Sequence, residues 1–156
     1  MDLMWLGLKA IAIGIIATVV MDMWSVFQAK VLKIPSLNYA LVGRWFLSLP
    51  SGKWQHNTIL QTPSLKGERM LGWLLHYAIG GVFAAIYILG VGMPARLEVA
   101  LLFGMVTLVF PFFFLQPCLG FGVAASKVPH PSRARLMSLC THLSYGFGLY
   151  LAMRLI

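Results

Sequence analysis

Residues 4–27 read MWLGLKAIAIGIIATVVMDMWSVF, a run interrupted by only two charged side chains, Lys9 and Asp22. A helix of about 20 mostly apolar residues is long enough to cross the hydrocarbon core of a bilayer. This run is apolar on all sides rather than along one stripe, as in a helix that faces lipid. The stretch therefore predicts a membrane-spanning helix.

The composition of the whole chain agrees with this stretch. Of its 156 residues, 60% are hydrophobic and only 10% are charged, whereas about 25% of residues are charged in a soluble domain. Three further stretches are long and apolar enough to span, at residues 70–92, 97–115 and 136–153. The sequence predicts an all-α polytopic membrane protein with one transmembrane domain, residues 1–156, that forms a four-helix bundle.

The basic residues predict the orientation of the bundle. The net charge is +8, and in a chain this apolar it indicates topology and contacts to anionic membrane lipids rather than to nucleic acid. With four spans, nine basic residues fall on one side and three on the other. The positive-inside rule then places both long connections in the cytoplasm and both termini outside. The nine are Lys30, Lys33, Arg44, Lys53, Lys66, Arg69, Lys127, Arg133 and Arg135, and the three are Lys9, Arg96 and Arg154.

Two segments outside the predicted spans have patterns of their own. Ser36 is expected to cap a short helix over residues 37–49, which is too short to span and is expected to lie in the membrane interface. Trp45 and Trp54 are expected at headgroup level. Residues 116–126, rich in small side chains, are also too short to cross. The sequence leaves open whether they extend the third span or form a re-entrant segment.

Three ionisable side chains are predicted to share one depth in the membrane. His76 and His142 each lie seven residues after the last charge before their span, and Asp22 lies eight residues before the first charge after its span. At a rise of 1.5 Å per residue, each is roughly 10 to 12 Å below the cytoplasmic surface. Ionisable groups at this depth are costly and usually face the bundle interior or a wet cavity. We therefore expect Asp22, His76 and His142 to converge.

The expected cluster suits several ligands, and no motif selects one of them. Two imidazoles and a carboxylate suit a transition metal ion, and two histidines suit a haem iron held from both faces. Without a metal, an Asp–His pair suits acid–base chemistry on a small lipophilic molecule. The sequence does not decide whether the chain is an enzyme, and a homo-oligomer is compatible with it. Side chains expected to support the cluster are Glu68, Gln116, Tyr145 and Ser138.

Two other functions compete with a ligand site. A small transporter would need polar residues through the full membrane thickness, and the outer half of the second span is apolar apart from Tyr87. In a structural or assembly factor, the intramembrane histidines would only hydrogen-bond neighbouring helices. His56 and His130, in the connections, are expected to be solvated.

Eleven short motifs are distributed over nearly the whole chain: Met21-Asp22, Ile34-Pro35-Ser36, Gly43-Arg44-Trp45, Gly67-Glu68-Arg69, Gly72-Trp73, His76-Tyr77, Gln116-Pro117, Ala125-Ser126, Ser138-Leu139, His142 and Gly148-Leu149-Tyr150. With these motifs the chain resembles a family of bacterial inner-membrane proteins catalogued as a domain of unknown function. The resemblance implies a bacterial, four-span, stand-alone inner-membrane protein. It implies no activity.

Overall fold

The computed structural model describes residues 3–156, and helices dominate this range. No β-strand occurs among the described residues, which confirms the all-α class. The helices are α1 (Leu3–Lys30), α2 (Tyr39–Ser48), α3 (Glu68–Gly90), α4 (Leu97–Val106), α5 (Gln116–Cys118) and α6 (Pro131–Leu155).

Within the described range, three helices are long and apolar enough to cross a membrane, not the predicted four. They are Met4–Lys30, Glu68–Gly90 and Leu97–Cys118. The fourth prediction, residues 136–153, falls inside α6, whose leucines are interrupted by Ser138, Thr141, His142 and Ser144. The helix is long enough, but these polar side chains make it too polar to count as a span, so the prediction of four spans is wrong. The predicted placement of both termini outside assumed an even number of spans, and it stays a prediction.

The third span is a helix in several pieces. Regular α-helix ends at Val106, and Pro111–Leu115 form a π-helical turn before α5. Proline has no N–H to donate to the helix ladder, which explains an interruption at this place. After Cys118 the backbone passes through Gly120 (φ 84°) and Gly122 (φ 76°). Only the first three residues of the predicted 116–126 segment therefore extend the span.

The short helix predicted at 37–49 is confirmed, but a different residue caps it. The helix spans Tyr39–Ser48, and Asn38, not Ser36, is its N-cap. The side-chain Oδ1 of Asn38 accepts a hydrogen bond from the backbone N–H of Ala40 at 3.0 Å. The backbone of Asn38 is extended, as an N-cap residue requires for its side chain to reach back to the first turn.

The described chain folds into two compact units. The described part of the first unit comprises residues 3–36, 77–107 and 139–156, and the second comprises residues 37–76 and 108–138. The single transmembrane domain expected from the sequence stays a prediction.

Small residues bring the helices of the first unit into close contact. A Cβ atom on Gly14 of α1 would lie 2.5 Å from the Cα of Gly81 in α3, and one on Gly148 of α6 would lie 2.7 Å from the Cα of Ala17 in α1. Close backbone approach of this kind is the usual device for packing helices within a membrane. Fully buried side chains in this core include Ile13, Ala17, Ala84, Tyr87, Ala100, Leu149 and Ala152.

In the second unit, the connection between α1 and α3 is hydrogen-bonded to the residues that follow the π-helical turn. The backbone N–H of His56 donates to Cys118 O, and that of Ile59 donates to Leu119 O, both at 2.9 Å. Trp45, expected at headgroup level, is only 7% exposed, and its indole Nε1 donates to the backbone oxygen of Trp54 at 2.8 Å. Trp45 is therefore a core residue of this unit. The other buried apolar residues of this core are Leu41, Val42, Ile59, Leu115 and Leu119.

Candidate functional site

Asp22 is held by a tyrosine of the first unit. The hydroxyl of Tyr77, on α3, donates to Oδ2 of Asp22, on α1, at 2.8 Å. The carboxyl group is half-buried in a helix that is otherwise almost entirely apolar. The contact ties α1 to α3 through a side-chain hydrogen bond.

His142 is oriented by a threonine hydroxyl in the same unit. Oγ1 of Thr107 lies 2.7 Å from Nδ1 of His142 and donates to Gly104 O at 2.6 Å. A hydroxyl has one proton, and since this one is given to Gly104, the hydroxyl accepts from the imidazole. The network therefore assigns the hydrogen of neutral His142 to Nδ1. Nε2 is then the nitrogen that carries the lone pair.

Tyr145, expected to support the cluster, ties two helices of the first unit together. Its hydroxyl donates to Gly80 O at 2.6 Å, and its side chain is buried. Its ring meets the ring of Phe83 edge to face, with centroids 6.3 Å apart. These contacts support a role for Tyr145 in holding α6 against α3.

His76 belongs to the second unit, where it lies in an aromatic cluster. Its ring stacks on Tyr39 at a centroid distance of 3.9 Å and meets Trp73 edge to face at 5.8 Å. Tyr39 and Trp73 are themselves in contact, at 4.8 Å. Two helices, α2 and α3, thus position the imidazole.

The three predicted site residues do not form a metal centre. Throughout residues 3–156, no group of three or more His, Cys, Asp or Glu side chains could hold a metal ion. The expected metal site at Asp22, His76 and His142 is therefore not found. Of these residues, Asp22 and His142 belong to the first unit and His76 to the second.

Glu68, a predicted supporting residue, forms an ion pair with Arg44 in the second unit. Nε and Nη2 of Arg44 donate to the two carboxylate oxygens of Glu68 at 2.7 and 2.8 Å. Nη1 donates to the backbone oxygens of Thr62 and Ile59 at 2.8 and 3.3 Å. The hydrogen bond to Glu68 raises the pKa of Arg44 above its already high ordinary value, although burial acts in the opposite direction. The pair is therefore ionised at every physiological pH.

His56 is buried in the second unit rather than solvated. The residue is only 9% exposed. Its Nδ1 lies 3.0 Å from the hydroxyl of Thr62, and its Nε2 is buried with no hydrogen-bond partner among the described residues. Burial, and secondly the charge of Lys53, lower the pKa of His56. The expectation of a solvated histidine is wrong at this position.

The remaining supporting residues also lie in the second unit. Gln116 is half-buried on α5, and its Oε1 has no hydrogen-bond partner within residues 3–156. Ser138 is half-buried on α6. Tyr145, by contrast, belongs to the first unit, and the grouping of the supporting residues around one site stays a prediction.

Sequence reasoning missed the role of Arg44, and a signal for it was present. Glu68 is the one acidic residue between Asp22 and Glu98, in a stretch that has several basic residues. A carboxylate in such a stretch is expected to take a basic partner, and arginine is the residue best suited to bind both of its oxygens. The burial of His56 had no comparable signal, because it depends on contacts with residues more than 60 positions away.

Comparison with known proteins identifies a family and nothing more. No curated protein and no solved structure matches this chain. One family's sequence profile matches residues 11–156, which is nearly the whole chain and confirms the resemblance drawn from the motifs. The description of that family names no activity. The chain belongs to the family described as "Protein of unknown function (DUF2938)".

Proposed function

We propose that the chain is a multi-pass protein of the bacterial inner membrane that binds the polar head of a small lipophilic ligand through Asp22 and His142. The observation that carries the proposal is that both ionisable groups lie in the first unit, each oriented by one hydroxyl group. Tyr77 holds Asp22 at 2.8 Å and Thr107 holds His142 at 2.7 Å.

The energetic cost of Asp22 supports a role in binding. It lies in Met4–Lys30, a helix long and apolar enough to cross a membrane, where an ionisable side chain is expensive and usually lines a pathway or a ligand site. A carboxylate accepts hydrogen bonds, and Nε2 of neutral His142 accepts as well. The ligand class that fits is a lipophilic molecule with hydroxyl or amino donors. The predicted cytoplasmic position of both long connections belongs to the same proposal, because their excess of basic residues follows the positive-inside rule.

A structural role is the second candidate, and the hydrogen bonds themselves favour it. The hydroxyl bond on Asp22 joins α1 to α3, and the one on His142 joins α6 to Thr107, the residue that caps the end of α4. Buried polar contacts of this kind hold membrane helices together. In this alternative the chain is an assembly factor or scaffold that binds no small ligand.

The two candidates are separated by what the purified protein carries. The full chain is purified in a mild detergent, and native mass spectrometry measures any mass in excess of the polypeptide. Solvent extraction and mass analysis of the released material then give its chemical class. We expect a lipophilic molecule in the unchanged chain and its loss in Asp22→Asn and His142→Gln. Metal content and a visible absorption spectrum, taken on the same sample, test for a metal ion or haem.

Matched variants control for the loss of charge and of imidazole. Lys9→Gln changes a charged residue on the same helix as Asp22, and His130→Gln changes a histidine in a connection. Both are expected to retain the bound molecule. If no variant changes the bound mass while Asp22→Asn and His142→Gln unfold at lower temperature, the structural role replaces the ligand site.

A further inference from the structure

The exposed positive charges of the second unit are not balanced by acidic side chains of the same unit. Residues 37–76 and 108–138 contain seven lysine and arginine residues and one acidic residue, Glu68. Both carboxylate oxygens of Glu68 are bound by Arg44, and Oε2 also accepts from the backbone N–H of Leu65 at 2.8 Å. The six remaining cations are all exposed: Lys53, Lys66, Arg69, Lys127, Arg133 and Arg135. The unit therefore presents a net positive charge to its surroundings.

Exposed apolar side chains accompany these cations in the first connection and at the start of α3. Lys53 is followed by Trp54, which is 62% exposed, and Arg69 by Met70, which is 69% exposed. One turn after Arg69 on α3, the exposed ring of Trp73 is held in place by Tyr39 and His76. Basic residues next to exposed tryptophan are typical of the membrane–water interface, where the cation meets the headgroup and the indole meets the acyl boundary.

The Arg44–Glu68 pair fixes this stretch to the start of α3. Arg44, on α2, donates to the backbone oxygens of Ile59 and Thr62 as well as to Glu68, the first residue of α3. The loop that carries Lys53 and Lys66 is therefore tied to both helices. The indole of Trp45, which donates to the backbone of Trp54, holds the other part of the loop. The exposed cations are thus presented on an ordered backbone.

We propose that the surface formed by Lys53, Trp54, Lys66, Arg69, Met70 and Trp73, here called the basic-apolar surface, binds anionic phospholipid. The cations bind the phosphate, and the exposed apolar side chains contact the glycerol and the upper acyl chain. A nucleic acid or a soluble phosphate would leave these apolar side chains in water, which is why the observations favour a lipid. The proposal rests on the proposed membrane location and is independent of any ligand at Asp22 and His142.

The test is a titration of the detergent-purified full chain with short-chain phosphatidylglycerol and, separately, with short-chain phosphatidylcholine, followed by tryptophan fluorescence. Tighter binding of phosphatidylglycerol is expected, and raising the salt to about 1 M, where the Debye length is about 3 Å, is expected to remove most of the preference. Each cation close to an anionic surface changes affinity by about fivefold. The variant Lys53→Gln/Lys66→Gln/Arg69→Gln is therefore expected to lose at least about tenfold of the preference.

A matched variant removes the same number of charges elsewhere. Lys9→Gln/Arg96→Gln/Arg154→Gln changes three cations of the first unit and is expected to keep the preference. Lys53→Gln alone alters one exposed side chain, and its expected loss of about fivefold tests the proposal if the triple variant does not fold. Equal effects of the two triple variants would overturn the proposal.

Two competitors test the chemical class of the ligand. Glycerophosphoglycerol, the headgroup without acyl chains, is expected to compete weakly, because it makes no apolar contact. If it competes as well as the lipid, the surface binds soluble phosphate groups instead. A single-stranded RNA oligomer that displaces the lipid at equal phosphate concentration would likewise overturn the proposal. Asp22→Asn is expected to bind phosphatidylglycerol normally, so that failure of the lipid surface and failure of the ligand site at Asp22 and His142 are distinguishable.

Discussion

The guanidinium of Arg44 binds both carboxylate oxygens of Glu68 across a separation of 24 residues in the chain. The two side chains are each 13% exposed, so the pair is largely removed from water. By also binding the backbone oxygens of Thr62 and Ile59, Arg44 connects α2, the following loop and the start of α3. One side chain therefore accounts for much of the order of the first connection.

Arg44→Lys is expected to destabilise the protein by about 1–3 kcal/mol. A lysine keeps the charge, but it cannot bind both oxygens of Glu68 and two backbone oxygens at once, and it leaves buried acceptors unsatisfied. The free energy of unfolding, measured by denaturant titration in detergent, checks this value. Arg69→Lys, at an exposed arginine next to Glu68, is the control and is expected to change stability by less than about 0.5 kcal/mol. Equal effects of the two substitutions would contradict the assigned role.

Gly43→Ala is expected to cost more than about 3 kcal/mol or to prevent folding. A Cβ atom at this position would collide with the backbone oxygen of Glu68, and one on Gly72 would collide with the backbone oxygen of Tyr39. Backbone atoms cannot move aside as a flexible side chain can. The yield of folded protein and its unfolding temperature are the measurements.

Gly90→Ala is the matched control for this substitution. Gly90 is also helical, but a Cβ atom there meets nothing within 4 Å. Its replacement is expected to change stability by less than about 1 kcal/mol, in the stabilising direction, because alanine is the better helix former. A comparable loss at Gly90 would mean that the effect at Gly43 is one of helix propensity and not of packing.

Acidification is expected to destabilise the second unit through His56. Because its pKa is lower in the folded chain than its ordinary value of about 6.5, the unfolded chain binds more protons between these two values, and stability rises with pH there. The contribution is fully present above about pH 6.5 and is lost as the pH falls toward the pKa of the folded state. Unfolding temperatures measured from about pH 8 to about pH 5 test this sign.

Two variants identify the residue responsible. His56→Gln is expected to reduce the loss of stability on acidification, because glutamine does not titrate. His130→Gln, at an exposed histidine of the same unit, is expected to leave it unchanged. An unaltered pH dependence in His56→Gln would assign the effect to another group.

Thr107→Val is expected to lower stability by about 1–2 kcal/mol, because it removes the hydroxyl that binds both His142 and Gly104. It is also expected to release the imidazole from a single tautomer, which nitrogen-15 NMR of labelled histidine would detect. Thr58→Val is the control, because Thr58 makes no side-chain capping bond at the start of its short helical turn. Unchanged histidine shifts in Thr107→Val would contradict the assigned tautomer.

Hydropathy predicted the helices well because it is a local property. The run from Met4 to Lys30 and the helix from Glu68 to Gly90 depend only on their own residues. The fourth span was predicted by the same criterion, but Thr141, His142 and Ser144 make α6 too polar to qualify. Residues 139–156 of this helix pack closely against α1 and α4 through glycines, a tertiary contact that hydropathy does not report.

The partners of the predicted site residues could not be read from the sequence, because depth along a helix says nothing about the direction of a side chain. Asp22 and His142 each bond a hydroxyl group of another element, and His76 stacks on Tyr39. The expected convergence of the three residues stays a prediction. The hydroxyl partners Tyr77 and Thr107 are chemically ordinary residues, so nothing in the sequence marked them. The sequence predicted Ser36 as the cap where the structure has Asn38, and both residue types cap helices about equally well.

The contact of Gly43 with α3 and of Gly72 with α2 limits how the second unit can move. With no side chain between the two helices at this crossing, their backbones touch, whereas beside it Tyr39 of α2 packs against Trp73 and His76 of α3. Sliding one helix along the other would push those side chains into the crossing, whereas turning about it would not. Any rearrangement of these two helices is therefore a pivot about a fixed point, and a label on either helix would report an angle rather than a displacement.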